Sequence, residues 1–274
     1  MDKKLIFLDI DGTLTAPGAA APPDSALSAV RRAQRAGHTV LLATGRNLGV
    51  LAPLLRLGFD GAIACAGGYV FCGERVLFDC PMTERDRDEA LRLFRANGVV
   101  RTLEAKDVCY CDEDMDEFLA SVSAPDSALV RWHRAFRAQF DIRPMREYDG
   151  RPLYKMMYTC AGEDALSPVR AALSDRFRFV TQEAFSAACL SGEIIDRRFS
   201  KGSGVRCAAE AQGFSLADTI GFGDSMNDYE MIETVGLGVC MENGCDALKR
   251  ISDLVCPAVE DDGLARAFAK LGLG

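Results

Sequence analysis

The sequence predicts an α/β protein whose core is a doubly wound, Rossmann-like parallel sheet, with an α+β domain inserted into it. Three observations lead to this fold class. Short apolar runs alternate with helical segments near both ends of the chain, as they do in parallel sheets. Polar, glycine-containing motifs follow several of these runs. In the middle of the chain the alternation stops, and the 274 residues are enough for two modest domains.

The first elements follow the strand–helix rhythm. The apolar run at residues 4–10 is continuous and ends at a glycine turn, which is typical of a strand buried on both faces. A helix begins after the Pro22-Pro23 pair, with Asp24 as its predicted N-cap, and Gly37 ends it. The elements predicted next are a strand at 38–43, a helix at 47–57 and a strand at 61–65.

From about residue 69 the pattern is mixed, and it becomes regular again in the last third of the chain. We therefore predict a core of residues 1–81 and 191–274, with an inserted α+β domain at 82–190. The first predicted elements of the mixed region are a hairpin at 69–72 and 75–79, a helix at 84–96, and strands at 99–103, 153–160, 177–181 and 185–190. The elements predicted after it are helices at 200–212 and 226–235 and strands at 219–222, 236–240 and 254–256.

Charge and composition exclude several classes of partner. The formal net charge of −8 argues against a nucleic-acid partner. The arginines at helical spacing, Arg131, Arg134 and Arg137, stand among acidic residues and are interpreted as a solvated helix face. No apolar run approaches the roughly 18 residues of a membrane span, so we expect no membrane partner.

Localisation is predicted from the N-terminus and the cysteines. The first apolar run is interrupted by Asp9 and Asp11, which no export signal carries there, so we expect a cytoplasmic protein. The chain has 11 cysteines and no Cys-x-x-Cys pair. This pattern favours reduced thiols used as small core residues over disulfides or structural zinc.

Four polar clusters lie where an open α/β sheet binds its ligands, at the carboxyl ends of strands. They are Asp9-Ile10-Asp11-Gly12-Thr13, Thr44-Gly45-Arg46, Lys201-Gly202 and Gly223-Asp224-Ser225-Met226-Asn227-Asp228. Asp9 and Asp11 are two residues apart, so the pleat of a strand projects both to one side. Two neighbouring carboxylates repel each other unless a cation neutralises them, and a hard, oxygen-binding cation suits them.

Each cluster alone also has a purely structural interpretation. Asp-Gly-Thr is a common turn, Thr44-Gly45-Arg46 could simply end a strand, and Gly223-Asp224-Ser225 could cap the next helix. Arg46 in particular is interpreted as structural. The four clusters together, in this order and each after a predicted buried strand, nevertheless favour one shared site.

In content and order these motifs resemble the haloacid dehalogenase (HAD) superfamily of phosphatases. The closer resemblance is to its Cof-type branch (cap subclass IIB), in which a cap domain is inserted between the second and third motifs. Weaker matches are Glu193-Ile194, Met231, Met241-Glu242-Asn243-Gly244 and Glu260-Asp261-Asp262-Gly263. The chain departs from the branch at Ala66-Gly67, where Asn-Gly is usual.

The resemblance implies a role for each matched residue. Asp9 would be the nucleophile, and Asp11 the general acid and then the general base. Mg²⁺ would be held by Asp9, by the backbone carbonyl of Asp11 and by Asp224. The residues expected to bind the phosphate are Ile10, Thr44, Gly45, Lys201 and Asn227. Asp228 would not contact the phosphate; it would either bind the metal through a water or anchor Lys201.

The implied function is a Mg²⁺-dependent phosphatase acting through an aspartyl-phosphate on Asp9. Its substrates would be small phosphorylated metabolites, either sugar phosphates or phosphorylated cofactors. Two alternatives remain open: a phosphotransferase or phosphosugar mutase on the same fold, and a catalytically idle binding protein. The sequence does not indicate an oligomeric state.

Overall fold

The computed structural model describes residues 2–19, 21–122, 141–181 and 189–274. The predicted helix face with Arg131, Arg134 and Arg137, and most of the predicted strand at 185–190, lie outside these ranges. The chain forms two compact units. The core unit comprises Met1–Arg46, Leu51–Asp79 and Phe199–Gly274, and the inserted unit comprises Asn47–Val50 and Cys80–Arg198.

The elements are numbered along the described residues. The strands are β1 (Leu5–Leu8), β2 (Thr39–Ala43), β3 (Gly61–Ala64), β4 (Tyr69–Cys72), β5 (Arg75–Asp79), β6 (Val100–Ala105), β7 (Cys109–Cys111), β8 (Arg143–Pro144), β9 (Leu153–Cys160), β10 (Phe177–Thr181), β11 (Leu190–Asp196), β12 (Thr219–Gly223), β13 (Leu237–Met241) and β14 (Leu254–Cys256). The α-helices are α1 (Asp24–Arg35), α2 (Leu48–Leu55), α3 (Glu84–Ala96), α4 (Met115–Val122), α5 (Glu163–Leu173), α6 (Lys201–Gln212), α7 (Tyr229–Thr234), α8 (Asp246–Ile251) and α9 (Gly263–Lys270). Within the described ranges, none of these helices combines the length and the apolar character needed to cross a membrane.

The core unit contains an eight-stranded sheet in the order β14-β13-β12-β1-β2-β3-β4-β5. The six strands from β14 to β3 run parallel, and the β4–β5 hairpin continues the sheet in antiparallel pairing. All four residues of β1 are fully buried, as the continuous apolar run predicts for a central parallel strand. The predicted fold class, a doubly wound parallel core with an α+β insertion, is confirmed.

Helix α1 begins one residue earlier than its sequence suggests. Asp24 is its first helical residue and not its N-cap, so the predicted N-cap is wrong. Pro23 occupies the cap position in extended conformation, and its carbonyl accepts the first helical bond from Leu27. Proline has no N–H, so it can precede a helix without leaving a donor unpaired. Gly37 follows the helix with a φ of 95°, as predicted for its end.

The inserted unit is built on a six-stranded sheet in the order β10-β11-β9-β6-β7-β8. Its pairs are antiparallel except for β7 and β8, which run parallel. On one face of this sheet, Phe94 of α3 and Leu166 of α5 pack with Met156 and Tyr158 of β9 in a single buried cluster. Burying each such side chain contributes roughly 1.5–3 kcal/mol, so this cluster stabilises the unit.

A buried ion triad lies on strands of the same sheet. Successive residues of a strand point to opposite faces, so Lys155 lies opposite to its neighbour Met156. The Lys155 ammonium is 3.2 Å from a carboxylate oxygen of Glu104 and 3.1 Å from one of Glu193. Burial by itself would lower the pKa of Lys155, but the two carboxylates outweigh it and raise that pKa above its usual value. This triad is not predicted from the sequence.

The turn Cys65–Gly67 connects the sheet to two of the predicted motifs. Cys65 and Ala66 have φ values of 52° and 58°, in the left-handed region that non-glycine residues rarely adopt. Their N–H groups donate to the carbonyls of Arg46 and Thr44, respectively, at 2.9 and 3.0 Å. At Gly67 an added Cβ would lie 2.2 Å from the Ser200 carbonyl oxygen, so a side chain would collide there. The turn therefore holds the loop after β2 and contacts the residue before α6.

The conformation of Ala66 leads to a stability prediction. We expect Ala66→Gly to be less costly than Ala36→Gly by about 1–2 kcal/mol, because only Ala66 carries a left-handed backbone. Glycine's extra freedom in the unfolded chain affects both variants and cancels in the comparison. Urea unfolding of the two variants measures the difference. Equal losses of unfolding free energy would contradict the interpretation that this turn is strained.

Candidate active site

The pairing of β1 with β12 brings two of the predicted acidic motifs to one edge of the core sheet. Leu8 pairs with Phe222 in parallel register, and the Asp9 N–H donates to the Phe222 carbonyl at 3.0 Å. Asp9 therefore follows β1 at the edge where Asp224 follows β12. Because both strands run in the same direction, both acids lie at their carboxyl ends.

A tight turn follows Asp9 and shapes the edge. The Ile10 carbonyl accepts bonds from the N–H groups of Leu14 and Thr15, at 2.9 and 2.8 Å. Gly12 has a φ of 88°, and a Cβ added there would lie 2.3 Å from a carboxylate oxygen of Asp224. Only glycine allows this approach. Asn243, which lies just after β13, donates from its amide nitrogen to the Gly12 carbonyl at 2.8 Å and so stabilises the turn.

Lys201 connects the motifs. Its ammonium donates to Asp9 Oδ1 at 2.6 Å, to Asp228 Oδ1 at 2.6 Å and to Asn227 Oδ1 at 3.1 Å. The three contacts match the three protons of an ammonium group. Lys201 is the first residue of α6, and Ser200 caps that helix by accepting a bond from the Ser203 N–H. The side chain is therefore both buried and fixed at its base.

Asp228 holds two parts of the site together. One carboxylate oxygen accepts from Lys201, and the other accepts from the N–H groups of Asp224 and Ser225 at 3.1 and 3.2 Å. Asp228 is fully buried. Of the two roles predicted for it, the contact that anchors Lys201 is present in the structure.

The acids Asp9, Asp224 and Asp228 together carry more negative charge than Lys201 can balance. Burial, together with the charge of Asp228, raises the pKa of Asp9 well above its usual value. The same causes raise the pKa of Asp224 to about 6. For Lys201, burial alone would lower the pKa, but Asp228 and Asp9 outweigh it and raise that pKa.

This excess charge fits a divalent cation. Carboxylate oxygens of Asp9, Asp224 and Asp228 lie within 4.8 Å of one another. Asp224 Oδ1 is buried and has no hydrogen-bond partner among the described residues. Thr13 lies nearby and lowers the pKa of Asp224, although its hydroxyl also has no hydrogen-bond partner in the described residues. A donor set made only of oxygens suits a hard ion such as Mg²⁺.

Asp11 is turned toward a different partner. Its carboxylate accepts two bonds from the Arg46 guanidinium, from Nε at 3.1 Å and from Nη2 at 2.6 Å. The group of carboxylates that could hold a cation therefore contains Asp228 and not the side chain of Asp11. That the backbone carbonyl of Asp11 binds the metal stays a prediction.

The predicted phosphate-binding residues occupy three places. Thr44 is buried after β2, and its hydroxyl accepts a bond from the Arg46 N–H at 3.1 Å; Gly45 lies between them. The Ile10 side chain is fully buried, which leaves its backbone for any ligand contact. The Lys201 ammonium is only a donor, so it contacts the amide oxygen of Asn227, which accepts the bond. The amide nitrogen of Asn227 therefore points away from Lys201.

Comparison with known proteins identifies the family. The family model described as haloacid dehalogenase-like hydrolase matches residues 6–268. The chain belongs to this family. As a member of it, the protein is a hydrolase, and the predicted resemblance is confirmed.

Individual relatives extend over the whole chain. The "Putative phosphatase YkrA" of Bacillus subtilis is 29% identical over 279 residues, covering 100% of this chain and 99% of YkrA. The pyridoxal phosphate phosphatase YbhA of Escherichia coli is 23% identical over 270 residues, covering 97% of each chain. The solved structure of the HAD subclass IIB sugar phosphatase BT4131 matches with a TM-score of 0.78 at 21% identity, over 99% of this chain and 100% of that one. At this identity the structural likeness shows the fold.

Two contacts at the candidate site of this hydrolase are not predicted from its sequence. The sequence pattern favours a structural role for Arg46 and does not predict its contact with Asp11; the available signal is its position directly after Thr44-Gly45, which places a cation at the carboxyl end of β2. Asn243 was noted only as part of a weak motif, and its contact with Gly12 depends on how β13 lies in the sheet. A single sequence carries no direct signal for such a contact.

The buried position of Lys201 leads to a stability prediction. Lys201→Met keeps most of the apolar stem but leaves the neighbouring acids without their cation, so we expect a loss of about 3–5 kcal/mol in unfolding free energy. Urea unfolding in metal-free buffer measures this loss, with the exposed Lys270→Met as the control. A loss below about 1 kcal/mol, the range of a surface ion pair, would show that Lys201 does not balance these acids.

Proposed function

We propose that the protein is a Mg²⁺-dependent phosphatase that hydrolyses phosphate monoesters of small metabolites through an aspartyl-phosphate on Asp9. The observation that carries this proposal is the buried contact of Asp9 with Lys201, beside the acids Asp224 and Asp228. A carboxylate held by a fixed cation at a strand end is oriented for attack. The family membership and the names of the relatives support phosphate esters as substrates.

In the first step, an oxygen of Asp9 forms a bond to phosphorus, and the bond from phosphorus to the ester oxygen breaks. The electron pair of that bond stays on the leaving oxygen, which takes a proton from Asp11. In the second step, Asp11 takes a proton from water, and the water oxygen attacks phosphorus. The bond between phosphorus and Asp9 breaks, its electron pair returns to the carboxylate, and inorganic phosphate leaves.

The remaining residues would bind and orient the phosphate. Thr44, the Gly45 and Ile10 backbones and the Asn227 amide nitrogen are the proposed donors to its oxygens. The Lys201 ammonium stays fixed next to Asp9 and stabilises negative charge on the transferring group. When bound, Mg²⁺ would neutralise charge shared between the acids and the phosphate; Asp9, Asp224 and the Asp11 carbonyl would hold it.

Substrate choice would lie with the inserted unit. We propose that this unit acts as a cap domain selecting the organic part of the substrate; the predicted cap range of 82–190 lies within Cys80–Arg198. A sugar phosphatase and a pyridoxal phosphate phosphatase among the similar proteins support both proposed substrate classes, sugar phosphates and phosphorylated cofactors. Cytoplasmic localisation is supported by the cysteines, all 11 of which are free thiols.

Metal removal tests the cation. We expect exhaustive chelation to abolish phosphate release and added Mg²⁺ or Mn²⁺ to restore it, because the acids need a cation to accept a phosphate dianion. Binding without turnover gives a second measurement. Mg²⁺ at about 100 times its Kd should stabilise the chain by about 2.7 kcal/mol, and it should stabilise Asp224→Asn far less. The exposed Asp2→Asn is the matched control. Full activity of the metal-free enzyme would contradict this part of the proposal.

Substitution of Asp11 tests the mechanism. Asp11→Asn keeps the side-chain shape but removes the proton donor and the later base. With para-nitrophenyl phosphate, whose leaving group needs little protonation, we expect Asp9 to be phosphorylated and the intermediate to accumulate, because its hydrolysis needs Asp11. Intact mass after an acid quench should show one added phosphoryl group that maps to Asp9, and Asp9→Asn should show none.

The wild-type enzyme separates the phosphatase from its alternatives. Steady phosphate release into water is expected from a phosphatase. A mutase on the same fold would also label Asp9 but would release phosphate slowly. If neither wild type nor Asp11→Asn takes up label or releases phosphate from a panel of sugar phosphates and phosphorylated cofactors, the protein is a binding protein instead.

A further inference from the structure

The contact between Arg46 and Asp11 has no role in the function proposed so far. Arg46 Nε donates to Asp11 Oδ2 at 3.1 Å, and Nη2 donates to Oδ1 at 2.6 Å. Both carboxylate oxygens are therefore engaged by one planar guanidinium. A bidentate pair of this kind sets the plane of the carboxylate as well as its position, which a single contact does not.

Stability does not account for this pair. The Asp11 side chain is 54% exposed and that of Arg46 23% exposed. Ion pairs at such a surface contribute about 0–1 kcal/mol. Within the described residues, no other side chain forms a hydrogen bond with the Asp11 carboxylate. Without Arg46, this exposed side chain would be free to change rotamer.

The backbone of Arg46 is itself held on both sides. Its N–H donates to the Thr44 hydroxyl at 3.1 Å, and its carbonyl accepts from the Cys65 N–H at 2.9 Å. The donor at Cys65 belongs to the left-handed turn Cys65–Gly67. Left-handed, non-glycine residues persist only where the surrounding structure imposes them. Arg46 therefore extends from a fixed loop, so its guanidinium can fix a partner.

We propose that Arg46 is a positioning residue for the general acid and base: it holds the Asp11 carboxylate in the orientation from which the proton is transferred. This inference rests on the proposed function. Proton transfer needs heavy atoms about 2.6–3.2 Å apart, so rotation of Asp11 by one rotamer would end it. Each carboxylate oxygen has two lone-pair sites, and the pair with Arg46 uses one on each. A lone pair on either oxygen thus remains for the proton that passes to the leaving group and returns from water.

This role differs from two others that Arg46 could have. A residue that binds the phosphate directly would act on every ester equally and would raise KM. A residue that only stabilises the loop would change the unfolding midpoint. A residue that acts through Asp11 changes the dependence of the rate on the leaving group, because a poor leaving group needs the proton most.

The experiment compares two esters of similar shape, phenyl phosphate and para-nitrophenyl phosphate. We expect Arg46→Ala to lower kcat about 100-fold for phenyl phosphate and about 10-fold for the nitrophenyl ester, part of the 10²–10⁴ of general acid–base catalysis. KM should stay within about two-fold, because ground-state binding is not affected. Arg46→Lys should fall between the wild type and Arg46→Ala, since an ammonium cannot form the bidentate pair. The exposed Arg35→Ala is the control.

A double-mutant cycle tests whether Arg46 acts through Asp11. In the Asp11→Asn background, Arg46→Ala should cost less than about two-fold, because residues that act as a unit are not additive. An undiminished loss there, an equal loss on both esters, or Arg46→Ala behaving like Arg35→Ala would each overturn the proposal. If Arg46→Ala does not fold, Arg46→Gln gives the same comparison with a longer, uncharged side chain. A wild type that hydrolyses neither ester nor any ester of the metabolite panel would instead overturn the proposed phosphatase function.

Discussion

The rest of the site depends on the contacts of the Lys201 ammonium. It lies between two buried carboxylates, Asp9 and Asp228, and each of its three protons has an acceptor. Removing a charge from water is costly unless it is paired, so Lys201 offsets part of the cost of burying these two acids. With Lys201 in place, Asp228 can also bind the backbone at Asp224 and Ser225. A single cation therefore orders one end of β1, the start of α6 and the loop after β12.

The parallel core sheet makes this arrangement possible. Its central strands end at one edge, so residues far apart in the chain meet there without a dedicated scaffold. The charges in the site are not fully balanced: three acids are grouped beside one lysine, and within the described part of the chain an oxygen of Asp224 has no hydrogen-bond partner. The remaining negative charge fits the divalent cation proposed for this site.

The sequence predicted those parts of the structure that local patterns determine. The hairpin strands Tyr69–Cys72 and Arg75–Asp79 and the helix Glu84–Ala96 have the bounds predicted, because their apolar periodicity and turn residues are local. The acidic motifs were found because each directly follows a strand. The Arg46–Asp11 pair, 35 residues apart, was not predicted, because it depends on how two loops face each other. At Asp24 a favourable cap residue was overridden by the conformation of the preceding proline.

The ion triad around Lys155 has a consequence for how the chain folds. Antiparallel strands can pair in several alignments, and a shift by one residue moves every side chain to the opposite face. Such a shift of β9 would carry the Lys155 ammonium to the face where Met156 and Tyr158 pack with Phe94, and would leave Glu104 and Glu193 without it. A misaligned pairing would thereby be higher in energy than the native one. The charges thus select one alignment during folding, whatever they contribute to the stability of the final state.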